Sequence, residues 1–147
     1  MAERLKYYVI VLDGIDKTGK DLIAKYVFEL SGKRYITIAR GIMSMIAYSK
    51  LFCRDFEYDL EAEKLAPVVN ILLTVDKRDW EIRCKINDEP NIDYDIHSEA
   101  FTDASVQLLQ AGILVRKYNT SDMTPFNIAK AIVSFVHTLN GVDTSQL

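Results

Sequence analysis

From Tyr8 to Leu12 the chain is continuously apolar, and at Asp13-Gly14 the run breaks into a turn-forming segment that ends at Gly19-Lys20. A short apolar run bounded by turn residues predicts a buried strand. Beyond it the period changes. Leu22, Ile23, Tyr26, Val27 and Leu30 fall at offsets of 0, 1, 4, 5 and 8, one face of a helix over 20–30 that Ser31-Gly32 stops. Tyr35 to Ala39 is β-branched and aromatic and too short for a helix, so it predicts a second strand ending at Arg40-Gly41. Ile42, Met45, Ile46 and Phe52, with Met43 and Ala47 beside them, predict a helix over 42–52 that is more apolar than a solvated helix needs. That excess leads us to expect a homodimer through this helix.

Asp59 to Ala66 predicts a short helix halted by Pro67, and Val68 to Leu73 is a continuous apolar run of the kind a central parallel strand shows. Lys77 to Ile86, with basic residues around Trp80 and Ile82, predicts a helix running into a polar, mobile loop over 87–93. A helix over 96–109 with Gly112 as its stop, a strand from Ile113 to Tyr118, and a last helix from Thr124-Pro125 to Asn140-Gly141 complete the pattern, with 142–147 as a frayed tail. Strands alternating with helices predict an α/β fold: a parallel sheet of about four strands, helices on both faces and right-handed crossovers. In such sheets ligands bind outside the carboxyl ends of the strands. That rule gathers Gly14 to Lys20, Arg40, the segment after Val75, and Asn119 to Ser121 at one edge.

The length of 147 residues, without repeat, low-complexity tract or linker, suits a single domain over 1–147. Eighteen basic residues against twenty-one acidic ones give a net charge of −3 with no basic tail or stripe, so a nucleic-acid backbone is not an expected partner and a small phosphorylated ligand is. Cys53 and Cys84 have neither C-x-x-C nor His spacing, which argues against a zinc site or disulfide scaffold and for a reducing compartment. The first apolar run is far short of the roughly 20 residues that a membrane span requires, so we expect neither anchor nor signal peptide and a cytoplasmic protein.

Gly14-Ile15-Asp16-Lys17-Thr18-Gly19-Lys20 has the spacing G-x-x-x-x-G-K between a predicted strand and a predicted helix. In that context consecutive backbone N–H groups and the helix N-terminus cradle phosphates, and the Lys ammonium reaches the outer ones. Asp21 stands where the motif normally continues with Ser or Thr, whose hydroxyl binds Mg²⁺.

The string Ala39-Arg40-Gly41-Ile42-Met43-Ser44-Met45-Ile46-Ala47-Tyr48-Ser49 resembles the thymidylate kinase signature D-R-x-x-x-S-x-x-A-Y-Q at Arg40, Ser44, Ala47 and Tyr48, and departs from it at Ala39 and Ser49. Asp13 to Lys20 also looks like that family's loop, and Val69 to Val75 with Arg83 looks like its fourth strand and the helix leading to its lid. Only about twenty residues separate Lys20 from Arg40, which leaves no room for the family's second strand and its F-P-x-R turn.

The resemblance implies a three-layer α/β/α P-loop kinase fold with a shortened sheet, most like compact phage or viral members acting in a host cell. It further implies ATP and Mg²⁺ as cofactors and phosphoryl transfer to a deoxynucleoside monophosphate, with Lys20, Arg40 and Arg83 as catalytic residues. Gly14, Ile15, Asp16, Lys17, Thr18, Gly19, Lys20 and Asp21 would bind ATP. Asp13, Arg40, Ser44 and Tyr48 would bind the acceptor, and Asp21, through water, and Asp13 would serve the metal. Two other readings stand beside it: a catalytically impaired relative that binds or sequesters a nucleotide or regulates a partner, favoured by Ala39 and the missing turn, and a kinase acting on a modified base in DNA.

Overall fold

Residues 5–15, 17–86 and 93–142 are described by the computed structural model. Asp16, most of the expected mobile loop (87–92) and the expected tail (143–147) lie outside the described residues. The elements run β1 (Val9–Asp13), α1 (Lys20–Leu30), β2 (Ile36–Ala39), α2 (Ile42–Phe52), α3 (Leu60–Leu65), β3 (Val68–Thr74), α4 (Lys77–Ile86), α5 (Tyr94–Gln110), β4 (Val115–Asn119) and α6 (Pro125–Leu139).

The four strands form one sheet in the order β2-β1-β3-β4, and every pair is parallel. Side chains alternate across it, so the central strand β3 feeds two cores. Ile10, Leu12, Val69, Ile71 and Leu73 point to one face, where α1 offers Ile23 and Val27 and α6 offers Ile128, Ile132 and Val136. Leu72 points to the other, where α2 offers Ile42, Met43 and Ala47 and α5 offers Phe101, Ala104 and Leu108. Each fully buried aliphatic side chain of this size contributes about 1.5–3 kcal/mol, so these two layers carry most of the fold.

The apolar excess of α2 is consumed by this packing between the sheet and α5, with Phe52 left half-exposed at the end of the helix. Local signals set the helix ends. The Asp59 carboxylate caps α3 by accepting from Glu61 N and Ala62 N, and the Thr124 hydroxyl caps α6 by accepting from Asn127 N at 3.2 Å, with Pro125 in the first turn. The far end of α6 is tied to the start of the sheet: Asn140 Oδ1 accepts from Tyr7 N, Asn140 Nδ2 donates to Tyr7 O, each at 2.8 Å, and the Tyr35 hydroxyl bonds His137 Nδ1. No helix among the described residues is long and apolar enough to cross a membrane.

Candidate functional site

The loop between β1 and α1 lies at the carboxyl edge of the sheet, against β3. With strand order 2-1-3-4 the chain leaves β1 toward one side and later returns to β3 on the other, which makes β1/β3 the switch point where such sheets bind ligands. Gly14 marks how closely the loop crosses β3: its φ is 151°, and a Cβ there would stand 2.2 Å from the Leu73 carbonyl oxygen. Ile15 drops its side chain into a small core with Val75, Trp80 and Cys84, which anchors the loop from below. Lys17 and Gly19 both have left-handed backbones, with φ of 72° and 78°. For Lys17 that conformation is strained, as backbone at functional loops often is.

Lys20 opens α1 and folds its ammonium back over the loop, donating to Gly14 O at 2.9 Å, Ile15 O at 3.1 Å and Thr18 Oγ1 at 3.3 Å. The Thr18 hydroxyl in turn donates to Ile15 O at 3.1 Å. Gly19 is the N-cap of α1 and supplies no side-chain acceptor, so the first-turn N–H groups keep their capacity for an anion. Asp21 follows in that first turn, exposed.

The loop is braced from outside. Arg83 of α4 donates through Nη1 to Lys17 O at 2.6 Å and to Thr120 Oγ1 at 3.1 Å, and through Nη2 to Thr120 O at 3.2 Å. Thr120 is itself held on the end of β3, its N and its hydroxyl both donating to Thr74 O. Asn119 Nδ2 donates to Asp76 Oδ1 and Ser121 Oγ accepts from Asp76 N, so the segment after β4 is stitched to the segment after β3.

A second group forms where β1 and β2 end. Asp13 is fully buried; its Oδ1 accepts from Gly41 N at 2.8 Å, from Ser44 N at 3.3 Å and from the Ser44 hydroxyl, while Oδ2 finds no partner among the described residues. Burial pushes this carboxyl above the usual range, against the hydrogen bonds from Ser44 and Gly41 and the charge of Lys20, which pull it down. Gly41 permits the arrangement, since a Cβ on it would stand 2.3 Å from Val11 Cγ1. Arg40 just before it is exposed and left-handed, with φ of 70° and its N donating to Leu12 O at 2.9 Å.

No protein-family model matches the chain, and no curated protein matches it in sequence. Among solved structures, the crystal structure of the YorR protein from Bacillus subtilis in complex with phosphorylated GDP superposes with a TM-score of 0.66 at 18% identity, over 92% of this chain and 99% of that one. The likeness is one of fold. The fold of this chain, α/β with an all-parallel, four-stranded sheet and helices on both faces, thus superposes on that of YorR over nearly the whole of both chains.

Of the residues expected at the site, Gly14, Ile15, Lys17, Thr18, Gly19 and Lys20 make up the loop, and Asp13 and Ser44 meet in a direct hydrogen bond beside it. Asp16 lies outside the described residues. Arg83 reaches the loop through the Lys17 carbonyl. Tyr48 sits one turn beyond Ser44, its ring 5.7 Å from Phe101 and 5.6 Å from Phe52, between α2 and α5. The contacts of Thr120 and Gly41 emerge only in three dimensions, although Thr120 belongs to the segment the carboxyl-end rule points to.

Proposed function

We propose that the chain is a nucleotide kinase that moves the γ-phosphoryl group of ATP to a nucleoside monophosphate. The single observation that carries this reading is the Gly14 to Lys20 loop: an ammonium curled over loop carbonyls, at the mouth of a helix without a side-chain cap, at the switch point of a parallel sheet. The YorR complex with phosphorylated GDP supports it, since a protein of this fold holds a nucleotide.

In this reading the loop N–H groups hold the β- and γ-phosphates, and Lys20 exchanges its loop acceptors for phosphate oxygens. Phosphoryl transfer leaves little covalent work to a protein, so the chain's part is positioning and stabilisation of charge. Arg40, at the end of the neighbouring strand, would take two oxygens of the acceptor phosphate with its planar guanidinium. Mg²⁺, when bound, supplies neutralisation of the phosphate charge. Asp13, with an unmet carboxylate oxygen beside the loop, and Asp21, in the first turn of α1, are the residues suited to hold it, Asp21 through water. Arg83 would keep the loop in register.

A coupled assay of ADP release with ATP, Mg²⁺ and a panel of nucleoside monophosphates tests the reading. Turnover with at least one acceptor, abolished by Arg40→Ala through a raised acceptor KM, is expected. ATP binding without turnover on any acceptor would favour a nucleotide-binding, non-catalytic role, to which the alanine at position 39 already lends support.

A further inference from the structure

β2 ends the sheet on one side and pairs with β1 alone, so among the described residues one row of its backbone groups meets no strand. Ile36 N donates to Tyr8 O and Arg40 N to Leu12 O, each at 2.9 Å. Successive residues of a strand direct their N–H and C=O groups to opposite sides, so Thr37 and Ala39 point theirs outward. The Thr37 hydroxyl donates to Ala24 O of α1, which places the side chains of Ile36 and Ile38 on the other face of the sheet, in register with Val9 and Val11. There they are 56% and 45% exposed, although all-parallel sheets ordinarily carry cover over both faces.

This bare face continues into a cavity of about 520 Å³, floored by Val9, Val11, Ile38 and Val68. Its charged lining residues are all acids: Glu57, Asp59 and Glu63. None of the three takes part in an ion pair among the described residues. Glu63 lies toward the Gly41 end of the cavity, since its carboxyl is raised by burial and then by the charge of Asp13, the residue that accepts from Gly41 N. An apolar surface with unbalanced carboxylates is complementary to a cover that is apolar and basic, and the chain carries such a segment itself. Ile36 and Ile38 are flanked by Lys33, Arg34 and Arg40, all exposed. Left-handed backbones at Lys33 and Arg40, with φ of 65° and 70°, end the extended stretch on both sides.

We propose that this face docks a second copy of the chain, with β2 pairing antiparallel to the partner's β2 across a two-fold axis at Thr37. About that axis Thr37 and the partner's Thr37 exchange both N–H···O bonds through their outward groups. Ile36 then stands directly opposite the partner's Ile38 on the bare face, in the closer kind of cross-strand pair. Antiparallel pairing also brings the partner's Lys33 and Arg34 to the Gly41 end of the cavity, beside Glu63. Arg40 stands at the same end, and the three cavity acids outnumber it. The contact is isologous, so each of these interactions is made twice. The dimer that the apolar excess of α2 leads us to expect thus moves to the strand before that helix, and α2 lends it Ile42 and Met45 of the cavity wall. One short strand and one cavity make a small contact, so the dimer is weak, with Kd in about the micromolar range.

Sedimentation velocity on the full chain from about 1 to about 500 µM, a span that brackets such a Kd, tests this on wild type, Ile36→Lys, Thr37→Pro and Glu63→Lys. Wild type should pass from monomer to dimer across the series. Ile36→Lys puts a charge on an exposed edge position, and Thr37→Pro removes an outward N–H while leaving the ladder to β1 intact, so each should abolish the dimer with the circular dichroism of wild type. Glu63→Lys should raise Kd by about tenfold, since it reverses an attraction that the symmetry makes twice. Should Thr37→Pro not fold, Ile36→Lys decides alone. A monomer at every concentration would overturn the proposal and leave the face to a basic strand of another protein. A dimer that persists in Ile36→Lys, or a Kd that Glu63→Lys leaves unchanged, would also overturn it.

Discussion

Asp13 pays in stability for its place. Its carboxyl is raised by burial, and a carboxyl raised in the fold contributes stability that is present below its unfolded value and lost as pH rises through the folded one. At neutral pH the ionised group therefore works against folding. Asp13→Asn keeps an oxygen for Gly41 N and Ser44 and removes the charge, so thermal melting at neutral pH should rise, by roughly 2–4 °C for each ~1 kcal/mol in a chain of this size, while turnover in the proposed phosphoryl transfer falls. A lower melting temperature would show that the charge is structurally useful. Gly14→Ala has the opposite character: the added Cβ meets the Leu73 carbonyl oxygen at 2.2 Å, and overpacking of this kind costs about 1–3 kcal/mol or more, readable as a drop in the urea midpoint. The glycine spacing and the carboxylate before it were legible in the sequence because loop chemistry is local. The burial of Asp13 was not, since it depends on Gly41 and Ser44 arriving from 28 and 31 positions away.

Among the elements, helices and strands were readable nearly to their ends, because hydrophobic period and caps act within a few residues. The helix over 42–52 shows the limit. Its apolar excess led us to expect a second subunit; within the chain α5 and the sheet cover Ile42, Met43 and Ala47, a packing no local pattern names, while Phe52 stays half-exposed. Arg83 shows another. Its place on α4 suggests a lid residue, while the geometry makes it a brace from the Lys17 carbonyl to Thr120. Removing it by Arg83→Ala should loosen the loop, with lower ATP affinity and faster amide exchange over 17–19. A variant with unchanged ATP affinity and lowered kcat alone would assign Arg83 to the transfer step instead.

For the whole molecule, the order β2-β1-β3-β4, which leaves β2 at an edge, comes from long-range pairing, which sequence periodicity does not encode. The closure of α6 onto the sheet has a pH signature. Burial, and then the charge of Arg34, hold His137 below its ordinary value of 6.5, so its neutral form is the folded one. Stability from this group is present above about pH 6.5 and lost as pH falls toward and through the folded value. His137→Gln should flatten that part of the stability profile, measured as the difference from wild type, since the raised Asp13 and Glu63 carboxyls slope the other way; an unchanged profile would remove His137 from the account.

Titration of ATP with Mg²⁺ into wild type and Lys20→Ala tests most directly whether the Gly14 to Lys20 loop holds the phosphates of a nucleotide. Saturable binding to wild type that weakens by at least about tenfold in a variant with an unchanged melting temperature is the expected result, since the lost ammonium makes charge-assisted hydrogen bonds to phosphate. No binding to wild type, or equal affinity in the variant, would contradict it.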